Sequence, residues 1–504
     1  MSKENKDINS VESPKNETST YRSIFKATSL FGGVQVYHIL IGILRSKFIA
    51  MILGPAGMGI AGLYTSATAL IKSLSSMGLQ SSAVRDVSEA YGTNDQSKIN
   101  MVITSLRKLV WITGLLGMAI VFLGSPLLSK CTFGDYGYIL PFVLLSVTLL
   151  IDQLTVGQKA ILQGTRRLKF LAKSSVIGST IGLVVTIPMY YFMGIDGIAP
   201  VLVIASVISY QLAHYYAKKV PFEKVRMSFK EALRNGSIML KMGIAMSVNG
   251  LMVTASAYIL RIFIMHQGGA VAVGLFTAGA AILTTYVGMI FSAISTDYYP
   301  RLAAVNKDNE KCRELINQEG EIGTLILAPC LIVCVFFMPL IIRILYSSEF
   351  DASAEYVLWA SLGMLFKMGS WVAAFIFIAK SDMKTFLRNE ISIMIYGLFL
   401  SIGGYYLWGL KGLGIAFSVK FFVYMLQIFI VSRVKYDYRP SLGFAKVFIV
   451  QLMLMAVALG GIILLDGYAL WILGGVLIIL SGSYSLIGLN SRMNLMEVIK
   501  SRRK

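Results

Sequence analysis

Blocks of about 18 to 28 mostly apolar residues, parted by short polar stretches, recur along the whole chain, and a helix of about 20 residues spans the roughly 30 Å hydrocarbon layer of a membrane. That recurrence leaves few folds open. Backbone polar groups inside lipid find no water, so a segment of this kind crosses as a helix that satisfies its own hydrogen bonds. Fourteen such helices are predicted, near 24–53, 58–82, 109–130, 138–162, 174–193, 197–217, 237–264, 270–296, 321–345, 354–379, 390–408, 412–432, 444–465 and 469–489. Charged residues make up only 14% of the chain, too few to clothe a soluble surface of this size. The expected class is an all-α polytopic membrane protein with no soluble catalytic domain.

The net charge of +20 invites a nucleic-acid reading, but the cations are placed for something else. Lys and Arg concentrate in alternate loops: Arg85 to Lys108, Arg166 to Lys173, Lys218 to Arg234, Arg301 to Arg313, Lys380 to Arg388 and Arg433 to Arg439. The intervening loops are short and nearly free of them. Positively charged loops stay on the cytoplasmic side, so both termini are predicted to be cytoplasmic. No RNA- or DNA-binding motif accompanies the charge, and no nucleic-acid partner is expected. The first 22 residues read as a flexible polar tail, without the early apolar core of a signal peptide.

Two halves of the chain resemble each other. Gly62-Leu63-Tyr64-Thr65 matches Gly274-Leu275-Phe276-Thr277, and Gly194-Ile195-Asp196-Gly197 matches Gly409-Leu410-Lys411-Gly412. Arg45 likewise falls near Arg261, and the run from Ile161 to Phe170 parallels that from Phe377 to Phe386. An even number of helices per unit makes the repeat parallel, about an axis along the membrane normal, with a cavity between two lobes. The expected division is a tail at 1–22, an N-lobe at 23–219, a linker at 220–236 and a C-lobe at 237–435. Two appended helices at 436–490 and a basic tail at 491–504 complete it. Such a two-lobed layout suits transport by rocking better than it suits catalysis.

Charges at membrane depth are costly and so mark function or a partner. The candidates are Lys72, Lys367 and Lys420 deep in predicted helices, Arg45, Lys47 and Arg261 nearer the outer ends, and one anion, Asp152. Arg45, Lys47 and Arg261 either snorkel to headgroups or meet a ligand; Asp152 either pairs with a lysine or couples transport to an ion. Cations in excess point to an anionic ligand, and phosphate suits both the ammonium and the guanidinium.

Other motifs carry less. Gly57-Met58-Gly59-Ile60-Ala61-Gly62 satisfies the dinucleotide fingerprint in letters, but no strand precedes it, so tight helix packing explains it. No phosphate-binding loop of the ATPase type is present. His38, His214 and His266 are scattered, and Cys131, Cys312, Cys330 and Cys334 form no metal-ligand pattern and are expected to pack in the core. No cofactor or metal is predicted. The stretch from Asn100 to Lys108 is amphipathic and is expected to lie on the inner headgroups.

Two segments carry a family resemblance: Gly54-Pro55-Ala56-Gly57-Met58-Gly59 with Gly62, and the run from Phe350 through Trp359 and Leu365-Phe366-Lys367-Met368-Gly369-Ser370-Trp371 to Lys380. Over residues 22–435 the chain resembles the O-antigen translocase (Wzx-type) group of polysaccharide flippases, which includes lipid III flippases of enterobacterial common antigen synthesis. The resemblance implies the multidrug/oligosaccharidyl-lipid/polysaccharide exporter fold and an inner-membrane flippase for undecaprenyl-pyrophosphate-linked oligosaccharide. It also implies Lys at positions 47 and 367, membrane lipids as surroundings, and a polysaccharide polymerase and chain-length machinery as partners. The appended helices at 436–490 and the longer amino tail depart from common-antigen flippases, which leaves the glycan open. Alternatives are a lipid II flippase, a drug/cation antiporter of the same fold, and a membrane enzyme such as a polymerase. The antiporter would need acids in its cavity, and the enzyme would need large outer loops.

Overall fold

The structure is a computed structural model that describes residues 14–493. All regular structure among the described residues is helical: α1 (Pro14–Ser75), α2 (Leu79–Gly92), α3 (Gln96–Phe133), α4 (Ile139–Gly164), α5 (Leu168–Met193), α6 (Ile198–Ala217), α7 (Phe229–Asn235), α8 (Ser237–Ala281), α9 (Gly288–Ala304), α10 (Asn309–Phe336), α11 (Met338–Leu345), α12 (Ser353–Ala379), α13 (Met383–Tyr436), α14 (Leu442–Leu464) and α15 (Gly467–Met493). The expected amino tail starts its helix at Pro14; its residues 1–13, and 494–504 of the expected basic tail, lie outside the described residues.

Among the described residues ten helical stretches are long and apolar enough to cross a membrane. Four of them exceed one crossing and are broken near the middle by a glycine at positive φ: Gly54, Gly194, Gly269 and Gly409. Each half is itself long enough to cross, which yields the fourteen crossings read from the sequence. At Gly409 the chain doubles back, and the backbones of Gly404 and Gly412 touch across the hairpin.

These breaks recur in kind 215 residues apart. Gly54 (φ 63°, ψ −169°) has its match in Gly269 (φ 72°, ψ −176°), and Gly194 (φ 57°, ψ −135°) has its match in Gly409 (φ 57°, ψ −136°). Arg166 and Ser381, each just past a helix end, both take φ 57°. Asp95 caps α3 and Asp308 caps α10 in the same way, each carboxylate accepting from two backbone N–H groups.

The first six crossings meet the second six mainly through α1 and α8. At the end away from the basic loops, Gly59 lies against the carbonyl of Ala270 and Gly274 against the carbonyl of Pro55, so the two helix turns cross backbone to backbone. The sequence reading of the glycine cluster as a packing device holds there. At the basic end, Gly78 meets Gly243 equally closely. The last two crossings pack on α10, where Arg492 pairs with Glu321 at 2.5 Å. Inside that pair, Gln451 of α14 bonds Ser481 (2.7 Å) and Ser485 (2.9 Å) of α15.

Three expectations are corrected. Residues 100–108 do not lie on headgroups: they continue α3, with Ile103 and Leu106 fully buried. Their apolar face meets protein instead, because the linker folds over it: Asn100 accepts from the Glu223 N–H (3.1 Å) and Thr104 from the Val225 N–H (3.3 Å). The helix predicted to 82 ends at Ser75, and α2 follows as a separate helix whose Leu79, Ala83 and Val87 join Ile103 and Leu106 in one buried cluster. Of the cysteines, Cys312 is buried and Cys334 half-buried, but Cys131 and Cys330 are exposed on the helix exteriors, a face that lipid tolerates. Outside the crossings, Asp382 caps α13 through the Thr385 N–H (3.2 Å) and pairs with Lys435 (2.8 Å). Those hydrogen bonds, with one from Tyr436, hold its carboxyl well below the usual carboxylate range.

Candidate functional site

Small residues let α12 sit close to α13: Gly363 meets Ser418, and Gly414 meets the carbonyl of Tyr356. Beside this tight seam a cavity of about 670 Å³ opens among α8, α12 and α13. Lys367, Lys420 and Arg261 all line it. The Lys367 ammonium stands over the rings of Phe291 (5.1 Å) and Phe421 (5.6 Å), and that of Lys420 over Phe417 (5.0 Å) and the same Phe421 (4.8 Å). Arg261 faces Phe276 at 5.8 Å, and its Nε is buried without a partner.

Among the described residues none of these three cations is in an ion pair. Among the described residues Glu390 is the sole acid in the wall, and it already accepts a hydrogen bond from the Tyr424 hydroxyl at 2.6 Å. Aromatic faces stabilise a cation by about 0.5–2 kcal/mol, less than desolvation costs it. The cavity therefore gathers three cations whose charge no acid among the described residues meets.

The remaining sequence candidates are placed differently. Lys72 and Asp152 form an ion pair at 3.0 Å, so the lysine's charge is already met. Lys47 donates to the carbonyls of Arg343 (2.6 Å) and Tyr346, capping the end of α11 where the helix dipole is negative. That contact ties α1 to the second set of crossings, and Lys47 lines neither of the two cavities described. Arg45 lines a separate cavity of about 340 Å³ with His38 and Lys159, built from α1, α4, α5 and α6. Two cavities thus stand among the described residues, one inside each set of crossings, while at the seam between the sets the glycines of α1 and α8 lie in backbone contact. Sequence reasoning missed Lys159 and Glu390. Both carried the same signal as the residues it found, an ionised group within a predicted crossing.

The Lys72–Asp152 pair is about one third exposed on each side, so it contributes about 1 kcal/mol or less. Asp152→Ala is expected to lower the melting temperature of the purified protein by about 1 °C. The charge-swapped pair Lys72→Asp, Asp152→Lys should restore most of that loss. A swap no better than the single change would show that no pairing energy exists.

The family model described as "Polysaccharide biosynthesis protein" matches residues 48–355. The lipid III flippase of Escherichia coli (strain K12) is 22% identical over 376 residues, covering 73% of this chain and 88% of that protein, and the Shigella flexneri protein of that name matches equally. Among solved structures, the lipid II flippase MurJ in an inward closed conformation superposes with a TM-score of 0.66 at 12% identity, over 94% of this chain and 99% of that one. An inward-facing multidrug resistance MATE family transporter of the MOP superfamily gives 0.65 at 16% identity, covering 79% and 94%. An outward-facing MATE structure gives 0.54. These likenesses show the fold, a multi-pass transporter fold. With more than half of its length matched by the family model, the chain belongs to the polysaccharide biosynthesis protein family.

Proposed function

We propose that this protein is a flippase that moves a prenyl-diphosphate-linked oligosaccharide across the bacterial inner membrane, from the cytoplasmic to the opposite leaflet. One observation carries the reading: Lys367, Lys420 and Arg261, unpaired among the described residues, converge on one cavity whose wall holds a single, already bonded carboxylate. The 22% identity to a lipid III flippase over 73% of the chain supports the same substrate class. The basic loops and both termini lie on the cytoplasmic side, and two six-crossing units, 23–219 and 237–435, rock about the α1–α8 seam. For access from the cytoplasm, the contact of Gly78 with Gly243 has to part.

In this mechanism the diphosphate enters the larger cavity and its charge is met by the two ammoniums and the guanidinium, while the prenyl tail stays in lipid. Release on the outer side is helped by the membrane potential, about 2.3 kcal/mol per charge per 100 mV for an anion leaving a negative interior. Transport then needs no nucleotide. Coupling through Asp152 is not part of this reading, since that carboxylate is engaged by Lys72. A drug/cation antiporter is disfavoured by the excess of cations in the wall. A lipid II flippase shares the chemistry, and the superposition on MurJ favours keeping it as the second reading.

Complementation separates them. Expressed in strains depleted of a lipid III, an O-antigen or a lipid II flippase, the protein is expected to restore glycan export in one of the first two. Rescue of the lipid II strain alone would establish the second reading. Failure in all three, together with gained resistance to cationic drugs, would end the flippase reading.

A further inference from the structure

The smaller cavity is a second copy of the larger one. Moving along the chain by the 215 residues that separate Gly54 from Gly269, Gly182 falls on Gly397, Ser175 on Glu390, Ser209 on Tyr424, Ala205 on Lys420 and Lys159 on Ala374. Both members of every pair are wall residues. Arg45 falls one residue before Arg261. The two cavities share a plan and no residue.

Their charges have changed places. The larger cavity has an ammonium at 420 where the smaller has alanine at 205; the smaller has an ammonium at 159 where the larger has alanine at 374. Opposite the carboxylate of Glu390 the smaller cavity has the hydroxyl of Ser175. Among the described residues its wall therefore holds Arg45, Lys159 and His38, four serines and no acid. Among the described residues neither Arg45 nor Lys159 is in an ion pair. Asp152, two helical turns before Lys159 on α4, is taken by Lys72.

Guanidinium and ammonium groups donate hydrogen bonds and accept none, and serine hydroxyls turn to donate where an acceptor sits. Such a set fits an oxyanion, and charge-assisted bonds to it are the strong kind. Among the described residues its wall has no phenylalanine, tyrosine or tryptophan, unlike that of the larger cavity, so it is the less suited of the two to a prenyl chain. We infer that the smaller cavity is a second oxyanion site, filled at the same time as the larger one, which takes a carboxylate or phosphate carried by the substrate's glycan. This inference rests on the flippase reading for the identity of the substrate, but not for the existence of the site.

The test uses the full-length protein in detergent with three probes: geranyl diphosphate, glucuronate and inorganic phosphate. Saturation-transfer NMR reads binding of each probe alone and of glucuronate in the presence of saturating geranyl diphosphate. The Arg45→Gln, Lys159→Met protein should bind glucuronate, inorganic phosphate or both at least tenfold more weakly. Its geranyl diphosphate affinity should match the parent's. A loss confined to glucuronate identifies a sugar acid as the natural occupant, and one confined to inorganic phosphate identifies a phosphate substituent.

Because removing two charges can disturb folding, Ser175→Leu serves as a second variant that fills the cavity without touching a charge. It should give the same loss, while Lys159→Arg should retain binding. Unchanged binding in both the charge and filling variants would overturn the site, and so would full displacement of glucuronate by geranyl diphosphate. The flippase reading fails separately: Lys367→Met, Lys420→Met protein that still binds geranyl diphosphate normally would defeat it and leave the smaller cavity's result standing.

Discussion

Glycan display in a flippase-deleted strain is expected to fall by a factor of about 10²–10⁴ when Lys367 and Lys420 are both replaced by methionine, since each lost charge-assisted hydrogen bond to a diphosphate costs about 1.5–3 kcal/mol. Methionine keeps the length and the apolar stem, so the contacts with Phe291, Phe417 and Phe421 persist in shape. The stability of the protein should move the other way. Two like charges share the neighbourhood of one ring, neither has a carboxylate among the described residues, and burial of such groups is costly. Losing the cation–ring attraction gives back only about 0.5–2 kcal/mol per site. The melting temperature of the double variant should therefore equal or exceed that of the parent while transport collapses.

That divergence distinguishes a binding role from a structural one. A pair of lysines serving only as packing would lose folded protein and display together. Display measured by glycan immunoblot, and melting followed on the purified protein, give the two readouts. Retained display at parental levels would remove Lys367 and Lys420 from the mechanism. The single changes should each fall between, near the square root of the double effect if the two ammoniums act independently.

How the residues divided between legible and hidden follows from the range of the interactions. Fourteen crossings could be read because length and polarity are local properties, and alternate basic loops separate them. The stripe Leu79, Ala83, Val87 is equally local, and α2 was readable from it. The capping box at Ser228 and Glu231 marks α7 by the same logic. Lys47 and Lys72 could not be placed in that way. The carbonyls that Lys47 caps lie 296 and 299 residues away, and Asp152 lies 80 residues from Lys72. A lysine at membrane depth looks the same in sequence whether it meets a helix end, an acid or an open cavity. The convergence of Lys367, Lys420 and Arg261 is tertiary in the same sense, and the excess of cations over acids hinted at it without locating it. Lys159 was readable as an ionised group within a predicted crossing, and Glu390 stood at the first residue of one.

A second large effect is expected at the crossing of the two helix turns. Gly59→Val should abolish accumulation of folded protein in the membrane, and Gly274→Val should do the same. A side chain at either position points into a backbone carbonyl, that of Ala270 for Gly59 and that of Pro55 for Gly274, with the facing glycine's amide nitrogen next behind it. A flexible side chain can swing aside, whereas a carbonyl held within a helix turn moves only with its helix. Overpacking a core ordinarily costs about 1–3 kcal/mol; a backbone clash at the seam costs more, because relief requires α1 and α8 to separate. Those helices carry most of the contact between the first and second six crossings, so relief at this point undoes the joint on which the proposed rocking depends. Gly124→Ala is the matched control, since a Cβ there meets nothing within 4 Å, and alanine favours the helix by about 1 kcal/mol. Membrane fractions probed by fluorescence-detected gel filtration should show a monodisperse peak for the control and none for either valine variant. If the Gly59→Val protein runs as the parent does, the close approach of the two turns is not what holds the halves together.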